Sequence, residues 1–449
     1  MSNTSAGETE IGARTVRKIM MRVLPISGLL YMFHTMDKSN ISFAQFGMSG
    51  DLGITLSVFG TAAGIMAVGY LIFEVPSNIA LKKFGARRWI ARIAISWGLV
   101  TILTGFVQNI PQLYIARVLL GAAEAGLFPG LMLYFTFWFR PQERGLAIAT
   151  LVLAQPFAFI VGSLSGGFIL DHVYWFDMAS WRWIFILQGI LTVLIGILVL
   201  FILPSTPQQA GFLTTDEKDW ICGEIESSAS LDDGAEPESL RIQLRALTSR
   251  TVLHLGLINL LAAVGLIGFG AFAPLIIRQM NPGYSATSVG IVGVIPYLAG
   301  AIGLVLVGRS SDRCNERRNH VFSLMVLGAV GMLGTIRLMA YPTLGLICLS
   351  MVSIAVFGYI SPFWALATQV LSKANAVVGL AMINSIATIG FFLGPVIVGR
   401  GAVGDDVSGG LYFPVICFVL AAVLVALVKV PRRDQTRNIL ESKADLSSL

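Results

Sequence analysis

The chain has 449 residues, 55% of them hydrophobic and only 12% charged, with a formal net charge of +6. Soluble domains carry about 25% charged residues, so this composition, with a mean hydropathy of +0.77, excludes a water-soluble fold. The basic residues lie in short loops rather than in one patch, which argues against a nucleic-acid partner, and the absence of short alternating segments argues against a transmembrane barrel.

A spanning helix needs roughly 20 mostly apolar residues at about 1.5 Å each. Apolar windows of that length predict twelve spans, at 20–46, 55–81, 89–108, 111–139, 144–170, 182–203, 252–278, 285–308, 320–340, 342–370, 375–400 and 410–430. Six precede the polar stretch 204–250 and six follow it. That stretch is rich in Asp and Glu among serines and reads as a surface linker with one short amphipathic helix. The expected architecture is an all-α membrane protein of twelve transmembrane helices, in two six-helix bundles with pseudo-two-fold symmetry. Its divisions are an N-terminal tail 1–19, a bundle 20–203, the linker 204–250, a bundle 251–430 and a C-terminal tail 431–449.

Orientation follows from lysine and arginine placement. Arg14, Arg17, Lys18 and Arg22 in the first tail fall on the same side as Lys82, Lys83, Arg87, Arg88 and Arg92. Arg140, Arg144, the linker cations, Arg309, Arg313, Arg317, Arg318, Lys373 and the C-terminal cations share it, whereas only Arg182, Arg278, Arg337 and Arg400 fall opposite. The positive-inside bias makes both termini and the linker cytoplasmic. The first 18 residues are polar and no small-residue cleavage site follows, so the first span is expected to be its own insertion signal.

Cys222, Cys314, Cys348 and Cys417 form no CxxC pair, and His34, His172, His254 and His320 have no metal spacing. No metal, cofactor or disulfide framework is expected. Each histidine reads as structural or solvated.

Four charges interrupt the spans. Arg117 and Glu124 lie two turns apart in the fourth span, on one face, among Gly121, Ala122, Ala123, Ala125 and Gly126, which let neighbouring helices approach. A charge in hydrocarbon costs at least a few kcal/mol, so both should face the bundle interior or a cavity. They suit either a structural ion pair or a titrating group with its tuning cation. Asp37 and Lys38 interrupt the first span and, as neighbours on a helix, diverge by about 100°. They read as a mutually neutralising polar step, or as an anion anchor at Lys38 beside a titratable Asp37. Glu74, one turn before the loop, reads as a gate or loop anchor for Arg87, Arg88 or another cation. The Gly85-Ala-Arg-Arg88 loop after the second span is weakly echoed after the eighth by Gly308-Arg-Ser-Ser-Asp-Arg313.

That second loop resembles the Gly-x-x-x-Asp-Arg signature of the major facilitator superfamily; in the first half Asn78 and Lys82 replace the usual glycine and aspartate. Asp37-Lys-Ser-Asn-Ile-Ser-Phe-Ala44, Phe73-Glu-Val-Pro-Ser-Asn78, Gly85-Ala-Arg-Arg-Trp-Ile-Ala-Arg92, the stretch Arg117–Gly130, Trp181-Arg-Trp183 and Leu203-Pro-Ser-Thr-Pro-Gln-Gln-Ala210 resemble its anion:cation symporter branch. So do Asn384-Ser385 and Gly394-Pro395, and the likeness runs from about residue 20 to 430. The resemblance implies organic-anion/proton symport, with Glu124 carrying the proton, Arg117 modulating it and Asp312 and Arg313 in a gate. It also places Gln155 and Asn384 at a central cavity. Gln155 equally suits an interhelical hydrogen bond, whereas Ser385 and Thr388 extend Asn384 into a polar stripe. Tyr70 and Trp364 could wall that cavity or serve as packing. Where the branch often has arginine, Lys38 is a point charge without a bidentate fork.

The expected protein is therefore a monomeric, multi-pass symporter of a bacterial inner membrane. It imports a small organic anion with protons, by alternating access within the lipid bilayer, and is not an enzyme. Export or antiport on the same fold is the alternative, and a transporter-like sensor a further one. Exporters of the superfamily typically carry a Gly-Pro motif in the fifth span, which has Gly162, Gly166 and Gly167 here without one. Phe33, Tyr70, Phe157 and Trp364, set against few polar groups, lean the expected substrate toward a compact or aromatic carboxylate.

Overall fold

The computed structural model describes residues 2–232, 249–371 and 376–430. Residues 233–248 of the expected linker, the loop cation Lys373 and the expected tail 431–449 lie outside the described residues.

The chain winds through α1 (Ser2–Leu52), α2 (Leu56–Phe84), α3 (Ala86–Thr104), α4 (Ile110–Glu124), α5 (Leu127–Thr136), α6 (Pro141–His172), α7 (Ser180–Ile202) and α8 (Thr215–Asp232). The second half comprises α9 (Arg250–Met280), α10 (Ala286–Cys314), α11 (Arg318–Arg337), α12 (Pro342–Gly358), α13 (Ile360–Val370), α14 (Ala376–Arg400) and α15 (Ser408–Ala426). Among the described residues, eleven segments are long and apolar enough to cross a membrane, with α4–α5 and α12–α13 each counting as one. The twelfth is α3, whose 19 residues carry Arg87, Arg88 and Arg92 at one end.

Two expected continuous spans are broken. The fourth stops after Glu124, where Gly126 takes φ 85°, a left-handed conformation that glycine tolerates. A side chain there would also collide with Ser77 Oγ at 2.5 Å. The tenth span breaks at the equivalent place, between Gly358 and Ile360.

Pairwise packing shows the pseudo-two-fold relation. In the first half α3 packs on α7, α2 on α4 and α1 on α6; in the second, α11 packs on α15, α10 on α12 and α9 on α14. The halves meet through α6 on α10 and α2 on α14, again a symmetric pair. Glycines allow these close crossings. A methyl on Gly121 would lie 2.0 Å from the Met66 carbonyl oxygen, and one on Gly60 2.2 Å from that of Pro395.

Among the described residues, the hydrogen bonds and ring contacts between halves all lie on the side of the loops at 53–55, 173–179, 281–285 and 401–407. Phe59 meets Phe272 edge-on at 5.1 Å and Phe159 stacks on Tyr297 at 5.1 Å. Ser163 Oγ donates to the Gly290 carbonyl at 3.0 Å. Asp171 accepts from the Ala286 and Thr287 amides at 3.3 and 2.7 Å, so a carboxylate of α6 caps the N-terminus of α10.

At the opposite end, the chain ahead of the first expected span is helical and continuous with α1. Buried Glu217 of α8 holds this extension, accepting from Arg14 Nε at 2.9 Å and from Lys18 Nζ at 2.8 Å. Trp220 sits against Gly12 and under the Arg140 guanidinium, 4.8 Å from the ring centroid. Burial pushes the Glu217 carboxyl up, but Lys18, the Thr214 amide and Arg14 outweigh it and leave its pKa below the ordinary value. A depressed carboxyl stabilises the docked helix above its ordinary pKa and loses that contribution as pH falls through the folded value. Hydrogen exchange over residues 215–227, taken relative to the intrinsic rate at each pH, should therefore be slow at neutral pH and quicken in acid. Glu217→Gln should quicken it already at neutral pH.

Candidate functional site

Four charged side chains of α1 and α4, Asp37, Lys38, Arg117 and Glu124, converge inside the first half. Asp37 and Lys38, adjacent in sequence, point to different neighbours as their 100° divergence requires. Asp37 is 2% exposed and turns toward α3. Asn40 Nδ2 donates to its Oδ1 at 2.7 Å, and Trp97 Nε1 to its Oδ2 at 3.1 Å. Thr101 Oγ1 lies 3.1 Å from the same Oδ2. Asn40 and Trp97 thus donate to one buried carboxyl, and the Thr101 hydroxyl is shared between it and the Trp97 carbonyl at 3.1 Å.

Lys38 points instead toward α2. Its ammonium lies 5.6 Å from the centroid of the Tyr70 ring, within cation–π reach. Glu124, Glu74 and Asp37 all act on it electrostatically, yet among the described residues no carboxylate comes within 4.0 Å. It is half-buried. A cation so placed has spare capacity for an anion.

Arg117 and Glu124 do not form the ion pair that one reading of the sequence expected. Arg117, 1% exposed, donates from Nε to the Ala62 carbonyl at 3.1 Å and from Nη2 toward Met66 Sδ at 3.4 Å. The close Gly121 crossing presses α4 onto α2, so the arginine one turn earlier meets the α2 backbone before it can reach the glutamate. Its Nη1 has no hydrogen-bond partner. Glu124 is fully buried at the last residue of α4; His34 Nδ1 lies 2.9 Å from its Oε2, and the Asp37 carboxyl also faces it at hydrogen-bonding range. His34 is 2% exposed and ringed by Tyr31, Tyr70 and Trp97 at centroid distances of 5.9, 6.4 and 5.9 Å. Of the two readings of His34 from the sequence, solvated or structural, burial removes the solvated one. The sequence signal was present: His34, Asp37 and Lys38 fall at i, i+3 and i+4 on one helix.

Other expected residues are more dispersed. Glu74 makes no ion pair with Arg87 or Arg88; the cation acting on it is Lys38. Arg87 is half-buried and Arg88 exposed. Asp312 pairs within its own loop, with Arg317 Nη1 at 2.7 Å, because Asn315 turns the chain back at φ 47°. Arg313 is exposed. Gln155 neighbours Tyr31, with its Oε1 unpartnered. Trp364 lies edge-on to Phe363 at 5.5 Å, and Ser385 Oγ donates to the Ala381 carbonyl of its own helix. Thr388 Oγ1 donates to the Asn384 carbonyl at 3.2 Å. No hydrogen bond joins Trp364, Asn384 or Ser385 to the charged cluster. Among the described residues no group of three or more His, Cys, Asp or Glu side chains could hold a metal.

The sequence profile of the Major Facilitator Superfamily matches residues 28–395 and 255–448. A protein of Agrobacterium vitis named "Putative tartrate transporter" is 36% identical over 432 residues, covering 95% of this chain and 94% of its own. The "Quinolone resistance transporter" of Acinetobacter baumannii is 34% identical, covering 94% of this chain and 98% of its own. Among solved structures, the xylose transporter XylE from E. coli, in a partially occluded inward-open conformation, superposes with a TM-score of 0.73 at 14% identity. That match covers 92% of this chain and 98% of XylE.

Asn40, Trp97 and Thr101 were not legible as site residues, because each acts through Asp37 rather than by its own charge. Replacing Thr101 with valine keeps the shape and removes one donor to a buried carboxyl. A loss of about 1.5–3 kcal/mol in stability is expected, read as a lowered melting temperature of the purified protein.

Proposed function

The chain belongs to the major facilitator superfamily, and from that membership we propose that this multi-pass secondary transporter carries a small organic carboxylate into a bacterial cell together with protons. Its relatives are named as transporters and not as enzymes. The observation that carries the finer reading is Lys38: a half-buried ammonium with no carboxylate within 4.0 Å, set beside two buried carboxyls. Such a cation draws an anion out of water, and the carboxyls nearby can take protons to balance it.

With both termini and the 204–250 linker cytoplasmic, the halves are closed on the outer side and the state described is inward-facing. The anion enters at Lys38 and Tyr70, between the two bundles. Gln155 supplies polar contact from the first bundle; Trp364, Asn384 and Ser385 approach from the second as the halves rock together. Glu124 and Asp37 are the proton-coupling groups, with Arg117 holding α4 against α2 within electrostatic reach of both. Glu74, Arg87, Arg88, Asp312 and Arg313 lie at the cytoplasmic ends, where exchange of ion-pair partners would stabilise one end state over the other. Coupling two or more protons to a monoanion moves net positive charge inward, worth about 2.3 kcal/mol per charge per 100 mV of membrane potential. A second reading, export of a small molecule, draws support from the relative named a quinolone resistance transporter.

A thermal-shift screen against carboxylates, tartrate first, identifies the substrate. Proteoliposomes with an imposed pH gradient then test the coupling. Glu124→Gln should lose gradient-driven accumulation while keeping substrate exchange; normal accumulation by this variant removes Glu124 from the proton path. Lys38→Ala should abolish the thermal shift given by the same carboxylate, and a preserved shift rejects Lys38 as the anion anchor.

A further inference from the structure

His34 has no part in the cycle above, yet it lies directly against Glu124. Its Nδ1 lies 2.9 Å from Glu124 Oε2, with the side chains 2% and 0% exposed. Neither atom has a hydrogen-bond partner of good geometry in this state, and a bare ring nitrogen repels a bare carboxylate oxygen at that distance in a dry site, so the contact favours a proton on one of them. It belongs to a neutral ring facing a carboxylate, to a carboxylic acid facing a bare nitrogen, or to an imidazolium facing a carboxylate. Asp37 also faces Glu124, but it has further partners of its own in Asn40, Trp97 and Thr101.

The titratable and charged groups facing the pair are Tyr31, Asp37 and Lys38 of α1, Tyr70 and Glu74 of α2, and Arg117 of α4. Helix α3 presents only Trp97 and Thr101, which do not titrate. Lys38 is one turn beyond His34 on the same face of α1, and its charge acts on the ring.

We propose that His34 is the positioning residue that shares a proton with Glu124 and links it to the anion at Lys38. One proton taken from cavity water changes the charge of the pair from −1 to 0. The added positive charge falls one turn from Lys38, where two cations oppose each other until an anion binds. Anion binding therefore favours proton uptake at the pair, and by reciprocity a proton on the pair tightens anion binding. The link to the anion rests on the symport reading; the shared proton does not.

The test uses full-length protein reconstituted in lipid without substrate. The infrared carboxyl band that disappears in Glu124→Gln reports Glu124, and its pH titration gives a midpoint. His34→Gln keeps size and polarity but cannot take the proton, and should move that midpoint by about one pH unit or more. An unchanged midpoint overturns the proposal. Should His34→Gln fail to fold, nitrogen-15 histidine resonances provide the same test. The His34 Nδ1 titration should differ between wild type and Glu124→Gln, and identical curves overturn the shared proton. Lys38→Gln should also move the His34 titration, and no change there overturns the link. Wild-type protein that fails to accumulate substrate on a pH gradient would reject symport instead, leaving the spectroscopic midpoints to decide the shared proton.

Discussion

The cost of placing charge inside an apolar helical bundle governs this structure. Asp37, Arg117 and Glu124 are each no more than 2% exposed, and each would cost several kcal/mol in hydrocarbon without partners. The bundle meets that cost in three different ways. Asp37 receives donors from its own helix and from α3, Arg117 is held by a backbone carbonyl, and Glu124 is met by a histidine. Lys38 is the one left half-buried and without a carboxylate at ion-pair distance.

This division of partners depends on close helix contact. The Gly69 and Gly121 backbones approach so tightly that a methyl on either would lie about 2 Å from a carbonyl oxygen of the other helix. That crossing puts Arg117 onto the Ala62 carbonyl and leaves Glu124 at the end of α4. The left-handed Gly126 ends the helix there. The second half repeats the break with neutral chemistry, where the Tyr359 hydroxyl donates to Asn259 Oδ1 at 3.2 Å, again between the broken span and the first helix of its half. One half thus holds the charge and the other a neutral hydrogen bond on the same plan. In the transport cycle proposed above, this asymmetry places proton and anion together in the first half.

The ends of the molecule are built for different tasks. On one side, ring stacking, glycine contacts and the Asp171 cap join the halves. On the other, α8 is tied to the first half by Glu217 and by Trp220. In the transport cycle proposed above, a linker helix fastened to one bundle would move with that bundle.

The sequence by itself determined the membrane-spanning segments, their division into two sets of six and the charges that interrupt them. Hydropathy and helical period depend only on nearby residues. It also determined that Asp37 and Lys38 must diverge, since 100° per residue allows nothing else. Only the tertiary structure decided which group each charge meets. Trp97 and Thr101 lie 60 and 64 residues from Asp37, and Glu124 lies far along the chain from His34, so no local periodicity could pair them. The face that Arg117 and Glu124 share suggested that they would pair with each other, but sharing a face does not fix a partner. The depth of the α2–α4 crossing and the turn at Gly126 settled that choice, and both are properties of packing between helices.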